Sequence, residues 1–397
     1  MMTGINNIFR NFKLFQNILK ATDNLSKFHR GALCMETMST VFNLIKHKRW
    51  SEVISWTKEA CTDEILQTDS SNFNATPLHL AIDHQAPYEV IKCLVDHGPQ
   101  ATQMKEHRNG NIPLHCSIRM CSPLNVISLL IDAYEEGVVL RDKNQWCSIH
   151  MACYFNSHSS VVDLLIASNP SVVKIKTKQE DTALHIACRR KTSLSIVKRL
   201  LDIYPEAAKE VVGKGWLPLH LAVWYNAREE VIVQLIKAYP EATKIETSSS
   251  GQTPLSIYWS SFGISKNMLS ILLDPTTTFK NEEGNQDDGI IHKVLRFPQH
   301  IPNLLAFVLD EFQDDGSQFD ENGRLPLHVI IESRDIFKRC EWKKIFRRYP
   351  NAITQCDQKN SLYPFMIASI ISDLDLTYEL ISLAPTAIEN NIISMSY

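Results

Sequence analysis

No stretch of the 397-residue chain approaches the ~18 consecutive apolar residues of a membrane span. Basic charge is not in excess either: 41 Lys and Arg stand against 44 Asp and Glu, a net charge of −3. That removes the general electrostatic argument for nucleic acid, which needs a surplus of cations on one face. Ten cysteines are present but no Cys-x-x-Cys, so the usual zinc and thioredoxin spacings are absent. The first 20 residues hold no continuous apolar core of a secretion signal. Reduced thiols and a cytoplasmic or nuclear protein are the expectation, with organelle import as the alternative. On that expectation the sequons at Asn24 and Asn74 are chance matches. At 44% hydrophobic and 21% charged residues, the composition is that of a folded chain.

What the chain has in quantity is repetition. Thr76-Pro77-Leu78-His79-Leu80-Ala81 returns as Ile112 to Ser117, Cys147 to Ala152, Thr182 to Ala187, Leu217 to Ala222 and Thr253 to Tyr258. Weaker copies follow around Ile291, Leu327 and Phe365. The leucine position falls at 78, 114, 149, 184, 219, 255, 291, 327 and 365, in steps of 35 to 38. A second ladder, Pro99, Pro170, Pro205, Pro240, Pro275, Pro350 and Pro385, trails the first by 20 to 23 residues. Thirteen of the 17 prolines belong to these two ladders, so the period is not chance.

These words resemble the ankyrin repeat, whose Thr-Pro-Leu-His-x-Ala motif is matched most closely at 76–81 and well at 182–187 and 217–222. The Tyr-Pro-Glu-Ala endings depart from the family's usual Gly-Ala-Asp-Val-Asn. The resemblance implies an all-α, ankyrin-type α-solenoid of stacked helix-turn-helix repeats with short finger loops. It covers 36–397: an opening unit at 36–72 and about nine repeats over 73–397. Elementary rules agree. Proline presets the first helical turn, and a preceding threonine caps it. Proline after the second helix is expected to stop it. Gly110, Gly215, Gly251 and Gly323, each four residues before the leucine position, are expected at positive φ in the finger turn. Residues 1–35 carry spaced apolar side chains with five basic residues and one acid, an amphipathic segment. It reads as an N-terminal cap, with a transit peptide or a membrane-surface helix as alternatives.

Chemistry is sparse. Seven of 14 histidines share one repeat position, where the resemblance implies hydrogen bonds between neighbouring fingers rather than metal ligation or base catalysis. Cys116, Cys153 and Cys188 read as small core residues. Gly213-Lys214-Gly215 lacks the rest of a phosphate loop, and 318–329 lacks the end carboxylates of a calcium loop. No catalytic residues, metal or cofactor are expected.

The resemblance also implies a concave surface built from residues three before and five or six after the leucine position. Those positions hold Trp146, Tyr154, Phe155, Arg189, Arg190, Trp216, Trp224 and Tyr225 over the central repeats. Trp, Tyr and Arg are the residues enriched at binding hot spots. The expectation is a non-enzymatic scaffold that binds a protein segment there, acidic or phosphorylated because of the arginines. Partial packing of these aromatics against adjacent fingers is the bland alternative. A structural module docking through its N-terminal segment or its C-terminal end is the second reading.

Overall fold

The computed structural model describes residues 41–261, 266–273, 289–297, 301, 303–312, 315–333 and 339–385. The expected amphipathic segment 1–35 and Pro275 of the second ladder lie outside the described residues. The chain divides into two compact units, Met1–Tyr204 and Pro205–Tyr397.

In the first unit a helical turn at 41–46 and the helix Trp50–Glu59 open the array. Short inner helices then run Pro77–Asp83, Pro113–Arg119, Ser148–Tyr154 and Ala183–Arg190. Each is followed by a ten-residue outer helix: Tyr88–His97, Leu124–Ala133, Ser159–Ser168 and Leu194–Ile203. In the second unit the inner helices are Pro218–Trp224, Pro254–Ser261, Ile290–Arg296, Pro326–Glu332 and Pro364–Ile370. Their outer partners are Glu229–Ala238, Lys266–Leu273, Leu304–Glu311, Trp342–Arg348 and Leu374–Leu383. No strand occurs among the described residues, only two isolated bridges, Asp69 with Ala75 and Val212 with Trp216.

The leucine ladder is the core. Leu78, Leu114, Ile149, Leu184, Leu219, Leu255, Ile291 and Leu327 are all buried, and only Phe365 is left half-buried. A buried leucine-sized side chain contributes roughly 1.5–3 kcal/mol, so the ladder sets the register of the stack. Pro77, Pro113, Pro218, Pro326 and Pro364 occupy the first helical turn as expected.

The second proline ladder does more than stop helices. The outer helix ends on the residue before it, held extended: Tyr204 at φ −138°, ψ 77° and Tyr239 at φ −148°, ψ 85°. Proline forbids the helical region to its predecessor, which explains that geometry. The proline then opens a new 3-10 turn, at Pro99–Gln103, Pro170–Lys174, Pro205–Lys209, Pro240–Lys244 and Pro350–Thr354. These turns bury Ala101, Val172, Ala207, Ala242 and Ala352.

Each 3-10 turn leads into a finger closed by a main-chain bond from its first to its last residue, such as Asp142 N–H to Trp146 O at 2.8 Å or Thr177 N–H to Asp181 O at 2.9 Å. From Leu78 to Leu219, the closing donor lies 28 residues after the leucine position in every repeat. The acceptor lies three residues before the next leucine position throughout. The difference between 35- and 36-residue repeats in that span therefore sits wholly in the turn.

Gly110, Gly215, Gly251 and Gly323 have φ of 75°, 80°, 60° and 70°. The same finger position is also left-handed where it is not glycine: Asn74, Gln145, Glu180 and Ser361 have φ of 55–64°. A non-glycine residue costs roughly 1–2 kcal/mol there, partly offset by the entropy a glycine would lose. Glu180→Gly is therefore expected to raise stability by about 0.5–1 kcal/mol. A higher urea midpoint would show it, and a lower one would contradict it. A second left-handed column ends the inner helices at Gln85, Cys121, Asn156, Lys191, Asn226 and Ser372. There the following N–H reaches back to the small residue of the motif, as Ala86 to Ala81 and Ala227 to Ala222, both 2.8 Å. This is a Schellman closure.

Candidate partner-binding surfaces

The eight candidate residues fall into two clusters, one in each unit. In the first unit Trp146 closes the finger, its N–H also bonded to Asp142 Oδ1 at 2.8 Å. Tyr154 ends the inner helix Ser148–Tyr154, and Phe155 caps it. The rings meet edge to face: Trp146 and Tyr154 at 5.3 Å and 74°, Tyr154 and Phe155 at 5.1 Å and 79°. Such pairs add roughly 0.5–1.5 kcal/mol beyond their area. Trp146 is half-buried, while Tyr154 and Phe155 keep 38% and 36% of their surface.

The arginines behave differently from a free basic groove. Arg189 donates to Asp181 Oδ2 at 2.5 Å, and Asp181 is buried. Arg190 lies over the Tyr154 ring, 4.5 Å from its centroid, and its Nε donates to Tyr154 O at 3.0 Å. Arg189 is thus committed to an internal ion pair, and Arg190 is draped on the aromatic cluster. These two arginines therefore give weaker grounds for an acidic partner, since a paired charge attracts a ligand less.

In the second unit Trp216 sits in a finger closed by two main-chain bonds with Val212, at 2.9 and 3.0 Å. Trp224 ends the inner helix Pro218–Trp224, and Tyr225 caps it. Trp216 and Trp224 meet at 5.6 Å and 88°. Trp216 is half-buried, whereas Trp224 and Tyr225 are 46% and 40% exposed. Both clusters therefore combine what the sequence offered as alternatives. The finger aromatic packs, and the inner-helix aromatics stay open.

A spacing of eight residues links the two positions. Trp146 with Tyr154, Trp216 with Trp224, Asp181 with Arg189 and Arg324 with Glu332 are all finger-to-inner-helix pairs eight apart. Aromatic meets aromatic and acid meets base. Asp181 is the partner that reading single positions missed, and the chemical match at that spacing is the signal that exposes it.

Beneath both clusters runs the histidine column. His150 Nδ1 accepts from Cys147 N–H at 3.1 Å, so Nε2 must carry the proton, which goes to Ile175 O at 3.0 Å. His220 repeats this with Leu217 N–H and Ile245 O, at 3.1 and 3.0 Å. His328 does so with Leu325 N–H and Gln355 O, both 3.0 Å. Burial pushes His150 and His220 down to about 4 against the carbonyl bond that opposes it. His115 is pushed down to about 3 by burial. The Leu140 carbonyl acts on its ring, yet neither ring nitrogen is in hydrogen-bond geometry. The rings of His150, His220 and His328 are neutral pins to the following turn, and His115 is buried without such a bond. Burial likewise pushes the Cys147 and Cys188 thiols up to about 12, which makes them inert. Among the described residues no group of three His, Cys, Asp or Glu is placed to hold a metal ion, and no helix is long and apolar enough to cross a membrane.

Short inner helices, longer outer helices, hydrogen-bonded fingers and a histidine at one position in seven of the repeats define a helical repeat protein. A family model described as ankyrin repeats (3 copies) matches residues 39–144 and 149–246, half of the chain, and the chain belongs to the ankyrin repeat family. A comparison with curated proteins finds no match. Ankyrin repeats generally mediate protein–protein interaction.

Proposed function

We propose that the chain is a non-enzymatic protein-interaction scaffold that anchors a partner segment on its finger and inner-helix aromatics. The observation that carries the reading is that Tyr154, Phe155, Trp224 and Tyr225 stay exposed although each cluster has a packed tryptophan beside it. Large apolar rings left open cost free energy in water unless they meet something, and they are the side chains that dominate binding hot spots. The packed Trp146 and Trp216 hold them in place, so little ordering entropy remains to be lost on binding. The test is capture of a partner from native lysate by the wild-type chain, Tyr154→Ala and Trp224→Ala, each confirmed folded by circular dichroism. Loss of the same partner with either variant supports the reading, and unchanged capture by both refutes it.

The structural-module reading has its own observation. Ile370, Leu374 and Tyr378 of the last described repeat are open to solvent. Leu374→Glu with Tyr378→Glu abolishes capture on that reading and leaves it intact on the favoured one.

A further inference from the structure

The fingers of the first unit carry a charge pattern that the aromatic clusters do not use. Lys105, Arg141 and Lys176 stand 36 and 35 residues apart, and Arg108, Lys143 and Lys178 stand 35 and 35 apart. Both rows follow the repeat period, so the first two fingers each present two exposed cations, and the third presents Lys178 beside a half-buried Lys176. The fingers are joined directly, by Lys143 N–H to Asn109 O at 2.8 Å and Lys178 N–H to Asn144 O at 3.1 Å. Lys105 Nζ spans to Arg141 O at 2.9 Å, and Lys143 Nζ reaches His107 O.

The acids of the same turns point the other way. Glu106 is buried and accepts from the N–H groups of Arg108, Asn109 and Asn111. Asp142 is buried and accepts from Asn144 and Trp146 N–H. Asp181 is buried against Arg189. Glu180 is the one exposed carboxylate on these three turns. Lys105, Arg108, Arg141, Lys143 and Lys178 are all exposed, and among the described residues none of them meets a carboxylate. The first two fingers are thus polarised, carboxylate inward and cation outward, and the third keeps Lys178 outward and Asp181 inward. In a chain of net charge −3 this strip stands against the overall balance.

We infer that these two cation rows are the docking strip for an acidic, extended polypeptide segment. The inference deepens the scaffold reading, on which it rests, by naming the chemistry of the partner. The scale fits: stacked helices lie about 8–10 Å apart, so three fingers span about 20 Å, the length of roughly six extended residues. Alternate side chains of such a segment face one way about 7 Å apart, short of the finger step by a distance that long, flexible Lys and Arg side chains can span. Single-stranded nucleic acid suits the neighbouring aromatics poorly. Bases need open ring faces to stack on. In Tyr154, which stays 38% exposed, one ring face is instead taken by Arg190, and Trp146 meets it edge to face.

The experiment uses the full chain and fluorescein-labelled decaglutamate, followed by anisotropy. Saturable binding is expected at low salt, weakened at least about tenfold between 50 and 300 mM NaCl, as exposed charges are screened. The triple variant Lys105→Gln, Lys143→Gln, Lys178→Gln is expected to lose at least about tenfold in affinity while still melting cooperatively within a few degrees of the wild type, because exposed substitutions and exposed hydrogen bonds move stability little. Arg108→Ala with Arg141→Ala is expected to weaken binding in the same direction without relying on the lysines. Tyr154→Ala is expected to keep decaglutamate binding, which separates failure of this inference from failure of the aromatic-anchor reading. Absence of saturable binding at low salt overturns the inference. So does wild-type affinity in the triple variant, loss of peptide binding in Tyr154→Ala, or tighter binding of oligouridine or phosphatidylserine vesicles than of the peptide.

Discussion

Gly215→Ala is expected to destabilise the second unit by about 2–4 kcal/mol, from a left-handed backbone and a steric overlap together. Gly215 has φ +80°, and a Cβ built there would lie 2.4 Å from Ser248 Oγ and 2.9 Å from Ser248 N. That nitrogen donates to Lys214 O at 2.9 Å, the bond that joins this finger to the next. The alanine must therefore strain the turn or displace the neighbouring finger. Gly213 supplies the control in the same finger. It too is left-handed, at φ +52°, but a Cβ there meets nothing within 4 Å. Gly213→Ala should cost only the conformational part, about 1 kcal/mol or slightly more. Urea midpoints of the two variants check this, and equal losses would remove the packing argument.

Acidification has the second large effect. An unfolded histidine takes up its proton near pH 6.5. In the folded chain His150 and His220 do so only at about 4, and His115 at about 3. Between those limits the unfolded state binds more protons, so stability falls as the pH falls from about 6.5 toward 4. Each tenfold loss of proton affinity on folding corresponds to about 1.4 kcal/mol, which makes the combined destabilisation several kcal/mol. The cause is geometric as well as dielectric. A proton on His150 Nδ1 would face the Cys147 N–H that now donates to it. The urea midpoint measured at pH 7.5, 5.5 and 4.5 should drop at each step. A flat profile would mean that the column tolerates charge.

Much of this was readable from residues. The leucine and histidine ladders gave period, core and pins, because burial and capping demand the same kind of side chain at the same place in most repeats. The inner-helix prolines and the finger glycines were readable for the same reason. Three things were not. The second proline ladder looks like a stop signal, because nothing in Tyr-Pro-Glu-Ala distinguishes an ended helix from a 3-10 turn that buries the alanine. Glu180 and Gln145 carry no mark of the left-handed backbone they adopt, since register alone imposes it. Arg189 looked available because its partner, Asp181, lies on another element eight residues back. Burial of that aspartate depends on the finger folding over, a tertiary fact that no local pattern states. The exposure of Tyr154 and Trp224 belongs to the same class, since periodicity assigned the face but not the depth.

The turn that closes each finger also absorbs the chain's irregularity. From the first leucine position to Leu255 every other segment of the repeat keeps a constant length, and one optional residue is taken up at the loop tip. The array is in that respect tolerant of single-residue gain or loss by mutation, provided the event falls between the closing donor and its acceptor. The same event inside an inner helix would rotate the leucine out of the core and throw every later repeat out of phase. Length variation among descendants of this sequence should therefore collect at the finger tips, where the row of Arg108, Lys143 and Lys178 also stands.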